Sequence, residues 1–329
     1  MVLTVIQGLA NHILRPTSGD RCFFGGKFYI IKFSFALANQ LEKVPVTVYF
    51  NTCQLINSRQ TVQKRFRYKT RGRVIMDINH LERFKATVAS GKTAIGAVVS
   101  MDDLAVSECA GDCGMDFVWI DAEHAPHTLS TIKGHVTACR GTGCAPFVRV
   151  AKNDVGILKP VLDLAPAAVI IPMVNSVEEA EYAVAACRYP KTGVRGAGVR
   201  RATKYGATDI FEYLKTSESE PLVIIQIEHI DAVKNLDAIL KVPGIDSICV
   251  GPCDLSGSMG ILCQMDHPEL NKVVDEVCAK TKKAGLMLGT AGGPYAAWKH
   301  RNLDWIALGS DWGAMAQGFR AMLKEGERF

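Results

Sequence analysis

The chain has 329 residues, of which 48% are hydrophobic and 22% charged, and its formal net charge is +5. This composition is typical of a globular protein with enough apolar residues for one large domain or two small ones. Residues 1–75 carry twelve Lys and Arg against two acids, whereas residues 76–329 carry 26 Lys and Arg against 31 acids, so the main body offers no electrostatic basis for binding nucleic acid or an anionic membrane.

The first 75 residues are predicted to be a basic, poorly ordered N-terminal extension. Residues 23–33 and 46–50 are candidates for short strands, and residues 64–73 are basic with aromatic residues interspersed. That last run is compatible with a nucleic-acid segment, but we favour the poorly ordered extension and expect no nucleic-acid partner. A mitochondrial presequence is an alternative because the segment contains Arg and few acids. Another is that the working protein begins at Met76.

The cysteines and the apolar runs indicate a protein of the cytoplasm. No apolar run reaches the length of a membrane span, so we expect no membrane partner. The eleven cysteines are scattered without the spacing of a disulfide framework or a metal site; Cys109 and Cys113 are not a CxxC pair. We therefore expect reduced, mostly buried thiols and a cytoplasmic location.

From His80 onward, helical and apolar segments alternate. Residues 80–90 have the apolar spacing of a helix. Eight short apolar runs follow, separated mostly by helical segments, at residues 93–100, 117–121, 146–150, 168–174, 222–228, 247–251, 286–290 and 304–309. Continuous apolar runs indicate strands buried on both faces, and eight strand–helix units in about 250 residues predict a (β/α)8 TIM barrel over residues 76–329. The alternative, an open doubly wound sheet, lacks a phosphate-binding fingerprint after its first strand.

Two of these strands each lead to one carboxylate. Glu228 and Asp254 follow successive apolar runs, and one helix is predicted between them over residues 231–242. A strand–helix–strand crossover makes the two strands parallel, so both carboxylates lie at the same end of the sheet. Two carboxylates with few neighbouring cations predict a site for a hard divalent metal ion.

Other strand ends carry further polar residues. Asp121 and His124 follow the second strand, Arg149 ends the third, and Asp311 follows the eighth. The C-terminal ends of the strands hold the active sites of such barrels, although Asp311 is equally well interpreted as a helix cap. A Schiff-base mechanism needs a Lys at a strand end, and no run ends in one; Lys152 is the nearest.

The motifs resemble the HpcH/HpaI aldolase family, metal-dependent class II pyruvate aldolases related to 4-hydroxy-2-oxoheptanedioate aldolase. The resemblance runs from about residue 77 to the C-terminus. It is carried in order by residues 116–126 (DFVWIDAEHAP), 146–149 (PFVR), 171–174 (IPMV), 188–190 (RYP), 195–198 (RGAG), 226–228 (QIE) and 251–256 (GPCDLS). It implies a phosphoenolpyruvate/pyruvate-type barrel.

The resemblance also implies a role for each matched position. Glu228 and Asp254 are implied as ligands of Mg²⁺ or Mn²⁺, with Gln226 supporting the metal shell. His124 paired with Asp121 is implied as the acid–base element, and Arg149 as the residue that faces the pyruvyl oxygen. The backbone around Gly251, Pro252, Cys253 and Asp254 is implied to hold the substrate carboxylate. Cys253 departs from the family, where this position is usually small and commonly Ala, and Val98-Val99 departs where some members carry Trp.

The implied reaction is the cleavage or formation of 4-hydroxy-2-oxo acids through a pyruvate enolate held by the metal ion. The partners are then a small 2-oxo acid of the pyruvate or oxaloacetate type and an aldehyde. Oxaloacetate decarboxylation, or a synthase that traps the same enolate, is an alternative, and a non-catalytic binding barrel is less favoured because all the implied residues are present.

The resemblance further implies a homo-oligomer, a hexamer built from dimers that exchange a C-terminal helix. Residues 311–324 supply a candidate for that helix, with Met315, Phe319 and Met322 on one face. Ordinary packing of this face on the chain's own barrel is an equally weighted alternative.

Overall fold

The computed structural model describes residues 29–36, 43–50 and 78–327, and the chain divides into two units, Met1–Gly72 and Arg73–Phe329. In the first unit, strands β1 (Tyr29–Ala36) and β2 (Lys43–Phe50) pair antiparallel, Tyr29 opposite Phe50. They overlap the two predicted strands, although part of the first prediction lies outside the described residues. The predicted disorder of residues 1–75 and the boundary at residue 75 stay predictions.

The second unit contains a closed barrel of eight parallel strands. The strands are β3 (Ala94–Val99), β4 (Phe117–Asp121), β5 (Ala145–Arg149), β6 (Ala168–Ile171), β7 (Leu222–Ile227), β8 (Ser247–Val250), β9 (Met287–Ala291) and β10 (Trp305–Ser310). Each pairs with the next in the sequence, and β10 closes the barrel against β3. This confirms the predicted (β/α)8 TIM barrel.

Helices connect the strands and cover the barrel. They are α1 (Leu81–Ala89), α2 (Ala105–Asp112), α3 (Leu129–Ala138), α4 (Val155–Leu162), α5 (Val177–Cys187), α6 (Ile210–Thr216), α7 (Ile230–Lys234), α8 (Leu236–Ile239), α9 (Pro252–Ser258), α10 (Pro268–Lys283), α11 (Tyr295–Trp298) and α12 (Asp311–Gly326). No helix within residues 78–327 is both long and apolar enough to cross a bilayer.

The single helix predicted over residues 231–242 is wrong in detail. The segment forms the two short helices α7 and α8, which meet at Asn235, where φ is −93° and ψ is 0°. The Asn235 side-chain amide donates a hydrogen bond of 2.8 Å to the carbonyl of Asn175 in the preceding βα connection. This tertiary contact accompanies the break, and the crossover between β7 and β8 is still parallel.

Alternate residues of each strand lie in two different apolar layers. In β4, Phe117 and Trp119 belong to the cluster inside the barrel, whereas Val118 and Ile120 belong to the layer under the helices. Both layers are buried, which explains the continuous apolar runs in the sequence. Inside the barrel, Phe117 stacks on Phe147 with ring centroids 4.7 Å apart, and Phe84 of α1 packs edge-to-face against both rings.

The C-terminal helix α12 has no buried residue. Its large apolar side chains are all exposed, from 45% to 69%, at Trp312, Met315, Phe319, Met322 and Leu323. Ordinary packing of this face on the chain's own barrel is therefore the wrong alternative, because those side chains are exposed and not buried against it. The helix exchange between chains stays a prediction.

Candidate active site

The two-residue period of the strands places polar side chains at the inner C-terminal end of the barrel. In β4, Phe117 and Trp119 point into the barrel, so Asp121 at the end of the strand points inward as well. In β5, Phe147 points inward, and so does Arg149 two residues later at the strand end. In β7 the inward series continues from Ile224 through Gln226 to Glu228. The same alternation that builds the aromatic core therefore builds the polar site above it.

Asp121 and Arg149 form a buried ion pair across neighbouring strands. Arg149 donates from Nε to Asp121 Oδ1 at 3.0 Å and from Nη2 to Oδ2 at 2.7 Å. Its guanidinium lies 5.0 Å from the centroid of the Trp119 ring. Burial would raise the pKa of Asp121, but the hydrogen bonds and charge of Arg149 outweigh it, so the pKa lies below its ordinary value. The pair fixes one cationic group at the inner end of the cavity.

The predicted pairing of Asp121 with His124 is wrong for the imidazole ring in this structure. Asp121 Oδ1 accepts hydrogen bonds from the backbone N–H groups of Glu123 and His124, at 3.0 and 3.3 Å, while both carboxylate oxygens bind Arg149. The His124 ring is 62% exposed, and its Nε2 lies 3.8 Å from Glu123 Oε2. Asp121 therefore orders the loop that carries His124, and Glu123 is the carboxylate nearest the imidazole.

Glu123 is a site residue that the sequence reasoning missed. Its Oε2 lies 3.0 Å from Arg149 Nη1, and the side chain is 17% exposed. Burial raises the pKa of Glu123 despite the charge of Arg149, and the charges of Asp121 and Asp254 act in the same direction as burial. The available signal was its position between two selected residues, Asp121 and His124, immediately after a strand.

Glu228 is almost completely buried, with 1% of its surface exposed. Its Oε1 accepts a hydrogen bond of 2.8 Å from the backbone N–H of Met173, and its Oε2 accepts one from Gln226 Nε2. Burial raises the pKa of Glu228 to about 7, and the negative charges of Glu123 and Asp254 contribute to the rise. Glu228 thus lacks a cation sufficient to balance its charge.

Asp254 and Gly251 lie on the next strand–helix connection. Asp254 is exposed in the first turn of α9, and Gly251 directly follows β8. A Cβ atom on Gly251 would lie 2.7 Å from Glu228 Oε2 and 2.9 Å from Gln226 Nε2. Only glycine leaves Glu228 in this position.

The donor set fits a hard divalent cation. Within residues 78–327 no cluster of three or more His, Cys, Asp or Glu side chains could hold a metal ion. Glu228 after β7 and Asp254 after β8 are the candidate ligands, because Asp121 and Glu123 are both paired with Arg149. Burial above all, with the charges of Glu123 and Asp254 adding to it, raises the pKa of Glu228, and a cation beside this carboxylate would offset that effect. Gln226 Oε1 is buried without a hydrogen-bond partner, which leaves one more oxygen beside this pair.

A cavity of about 580 Å³ opens over these residues. Of the residues selected from the sequence, those that line it are His124, Arg149, Gln226, Gly251, Pro252, Cys253 and Asp254. Val98 also lines the cavity. Positions 98 and 99 are where the sequence departs from relatives that carry Trp. Trp298 and Leu270 are among the apolar residues of its lining. The cavity is large enough for a small oxo acid together with a second reactant.

Two other residues considered from the sequence lie elsewhere. Lys152 lines a separate cavity of about 400 Å³ together with Glu123 and Met173, and no lysine lines the larger cavity within the described part of the chain. Asp311 accepts hydrogen bonds from the N–H groups of Ser100 and Met101 at 2.7 and 2.8 Å, so it fixes the loop after β3 and is not the helix cap that was considered.

Comparisons with known proteins point to one family. The family model described as HpcH/HpaI aldolase/citrate lyase matches residues 95–314. The chain is 35% identical to a hydroxypyruvate/pyruvate aldolase of Roseobacter denitrificans, over 63% of this chain and 82% of that one. It is 36% identical to a 5-keto-4-deoxy-D-glucarate aldolase of Citrobacter koseri, over 70% and 91%. The crystal structure of an HpcH/HpaI aldolase from Desulfitobacterium hafniense is similar, with a TM-score of 0.70, 26% identity and coverage of 74% and 96%.

Proposed function

The chain belongs to the HpcH/HpaI aldolase/citrate lyase family, and we propose that it is a class II, divalent-metal-dependent aldolase that cleaves or forms 4-hydroxy-2-oxo acids. The products of cleavage would be pyruvate and an aldehyde. One observation supports this most directly: buried Glu228, with its pKa raised to about 7 by burial and by neighbouring carboxylates, shares the barrel end with the fixed cation Arg149.

Glu228 and Asp254 would hold the metal ion, Mg²⁺ or Mn²⁺ by the preference of these ions for carboxylate oxygens. When bound, the ion supplies a Lewis acid for the carboxylate and 2-oxo oxygens of the substrate. Gln226 and the Met173 N–H keep the Glu228 side chain in one orientation through its two oxygens. Such fixed orientation is what a metal ligand needs for catalysis.

Arg149 would stabilise the negative charge that develops on the 2-oxo oxygen as the bond between C3 and C4 breaks. Its side chain is 9% exposed, and Asp121 and Glu123 hold it from two sides. A preorganised donor in a site with little water contributes about 2.7–4 kcal/mol to barrier lowering. Because Asp121 binds Nε and Nη2, the orientation of the guanidinium is set before the substrate arrives.

His124 would accept the proton of the 4-hydroxyl group during cleavage. The electrons of that O–H bond then form the aldehyde carbonyl, and the electrons of the C3–C4 bond form the enolate of pyruvate. A proton delivered to C3 completes pyruvate, and His124 can return the one it took. An imidazole is the side chain that most often acts as a general acid–base in enzymes, and the Glu123 carboxylate lies 3.8 Å from its Nε2.

The substrate carboxylate would be bound by the backbone N–H groups of Cys253 and Asp254, at the wall of the cavity that Gly251 and Pro252 also form. Gly251 contributes by its lack of a side chain, since a Cβ there would displace Glu228. The remaining space of the cavity would receive the aldehyde part. The related 5-keto-4-deoxy-D-glucarate aldolase makes a polyhydroxylated acid one candidate substrate for this chain.

The proposal is tested by measuring pyruvate release from a panel of 4-hydroxy-2-oxo acids, including 5-keto-4-deoxy-D-glucarate, and from oxaloacetate, with Mg²⁺ or Mn²⁺ present. Lactate dehydrogenase and NADH report pyruvate, and an aldehyde reagent reports the second product. We expect equal amounts of pyruvate and aldehyde from at least one hydroxy-oxo acid. Pyruvate from oxaloacetate alone would instead establish a decarboxylase, and pyruvate from neither class would refute the lyase.

The exposed face of α12 supports the proposed homo-oligomer. Trp312, Phe319 and Met322 are 61%, 55% and 67% exposed, an unusual density of large apolar side chains on one helix. Light scattering should give a mass several times that of one chain. The double substitution Phe319→Ser and Met322→Ser should lower that mass, whereas a monomeric native protein would refute the proposal.

A further inference from the structure

Two exposed cysteines lie in contact at the edge of the cavity. Cys253 is the second residue of α9, and Cys263 lies in the loop between α9 and α10. Their Sγ atoms are 3.0 Å apart, and both thiols are exposed. A disulfide has a sulfur–sulfur distance of about 2.05 Å, so the pair needs to close by only about 1 Å to become covalent.

The loop is held in the conformation that brings these thiols together. The buried Ser256 hydroxyl donates a hydrogen bond of 2.6 Å to the Cys253 carbonyl and accepts one of 2.8 Å from the Cys263 N–H. Cys263 has φ of 57°, a left-handed backbone conformation that residues other than glycine seldom adopt. Because both ends of the contact are fixed by one buried serine, the proximity of the sulfurs is built into the fold.

We propose that Cys253 and Cys263 are a redox-active pair, and that their oxidation to an intramolecular disulfide reversibly lowers the activity of the adjacent site. The effect on activity rests on the proposed function. The oxidant would be a hydroperoxide. One thiol attacks the peroxide oxygen, the O–O bond breaks, and a sulfenic acid forms with release of water or an alcohol. The second thiol then displaces water from the sulfenic sulfur, which gives the disulfide. In total the two thiols lose two protons and two electrons.

The bond would act on the site through the first turn of α9. Cys253 lines the cavity and immediately precedes Asp254. Drawing Cys253 toward Cys263 by about 1 Å would move the backbone that carries both the Asp254 carboxylate and the N–H groups proposed to bind substrate. A misplacement of about 1 Å can cost roughly 100-fold in rate. Reduction of the disulfide would restore the original positions.

A second exposed pair provides a matched control. Cys109 and Cys113 lie one turn apart along α2 and its C-terminal end, both thiols are exposed, and neither lines the cavity. If oxidation of any exposed thiol inactivated the protein, substitution of this pair would also alter the response. The proposal predicts that it does not.

The test uses diamide, which joins two neighbouring thiols into a disulfide while its N=N bond is reduced to a hydrazine. The treatment is run for an extended time at mildly alkaline pH, because the thiolate is the form of a cysteine that reacts. Residues 242–272 form one tryptic peptide that contains both cysteines and the buried Cys249, so fragmentation of the peptide is used to identify the linked pair. We expect that peptide to become lighter by two hydrogen atoms, and kcat/KM for pyruvate release to fall by about 10- to 100-fold. Dithiothreitol should reverse both changes.

Cys263→Ser should keep the activity of the reduced native protein and lose its sensitivity to diamide, whereas Cys109→Ser with Cys113→Ser should stay as sensitive as the native protein. Absence of the two-hydrogen loss, a disulfide without loss of activity, or equal inactivation of Cys263→Ser would each overturn the proposal. A reduced protein that releases no pyruvate from any substrate would refute the proposed function instead. In that case the peptide mass still tests disulfide formation by itself.

Discussion

Substitution of Gly251 by alanine should displace the Glu228 carboxylate while leaving the barrel folded. Gly251 has φ of −104°, which alanine adopts without strain, and its N–H donates a hydrogen bond of 3.0 Å to the carbonyl of Ile227. The added Cβ would lie 2.7 Å from both Cβ and Oε2 of Glu228 and 2.9 Å from Gln226 Nε2. The perturbation is therefore directed at one proposed metal ligand and its hydrogen-bond partner.

The size of the effect follows from these distances. Ordinary contact begins at 3.4 Å, so the Glu228 side chain must retreat by about 0.7 Å against the hydrogen bonds from Met173 and Gln226. Overpacking of this kind costs about 1–3 kcal/mol of stability. A displacement approaching 1 Å at a reacting centre costs up to about 100-fold in rate. We expect kcat/KM to fall by about 10- to 100-fold, with more Mg²⁺ needed for half-maximal activity.

The assay is pyruvate release at several Mg²⁺ concentrations, beside urea unfolding of the same protein. Gly257→Ala, in the helix α9 that follows Gly251, is the control, because its Cβ would meet only the movable end of Leu262, at 3.1 Å. That variant should match the native protein in its Mg²⁺ requirement. A folded Gly251→Ala protein with native activity and native Mg²⁺ dependence would refute the placement of Glu228 in the metal site.

Three further outcomes are expected. His124→Asn should lower kcat by about 10²–10⁴-fold without changing urea unfolding. The control is His300→Asn, whose ring is also 62% exposed and which should change neither kcat nor unfolding. Equal activity of the two variants would contradict the role of His124 as the acid–base residue. Asp121→Asn should lower the free energy of unfolding by about 3–5 kcal/mol, because buried Arg149 loses its bidentate partner; a native urea midpoint would count against that pair. Burial above all lowers the pKa of His135, so the unfolded state takes up a proton first and stability should fall below about pH 6.5. Tm measured from pH 7 to 5 should depend less on pH in His135→Gln, and an unchanged slope would exclude this residue as the cause.

The barrel could be predicted from the sequence because its strands are buried on both faces. Val118 and Ile120 pack under the helices while Phe117 and Trp119 fill the interior, so the run contains no polar residue until Asp121. That polar residue marks the end of the strand and points inward by the two-residue period. The same reasoning applies to Arg149, and for this reason several candidate site positions could be proposed from the pattern alone.

The partners of those residues did not follow from the pattern. The family resemblance implied that Asp121 pairs with the His124 imidazole, yet the Asp121 carboxylate binds the guanidinium of Arg149 on the neighbouring strand. Which cation a carboxylate meets depends on strand register, where Asp121 stands opposite Arg149. Glu123 was overlooked for the same reason, since its interaction with Arg149 arises only when the barrel is assembled.

The contact between the thiols of Cys253 and Cys263 could not be predicted from the sequence either. Cys253 and Cys263 are ten residues apart, a spacing without a metal or redox signature. They meet because α9 ends at Ser258 and the loop turns back through a left-handed residue onto Ser256. Turn geometry of that kind is weakly encoded when the left-handed residue is not glycine.

Glu228 and Asp254 are proposed to form the metal site at which pyruvate is released. The most direct test measures pyruvate release by the native protein before chelation, after chelation, and after addition of Mg²⁺ or Mn²⁺, beside Glu228→Ala. Activity should disappear on chelation, return to the native protein with added metal, and stay absent in the variant at every metal concentration. Activity that survives chelation, or a Glu228→Ala protein that metal restores to the native rate, would contradict the account.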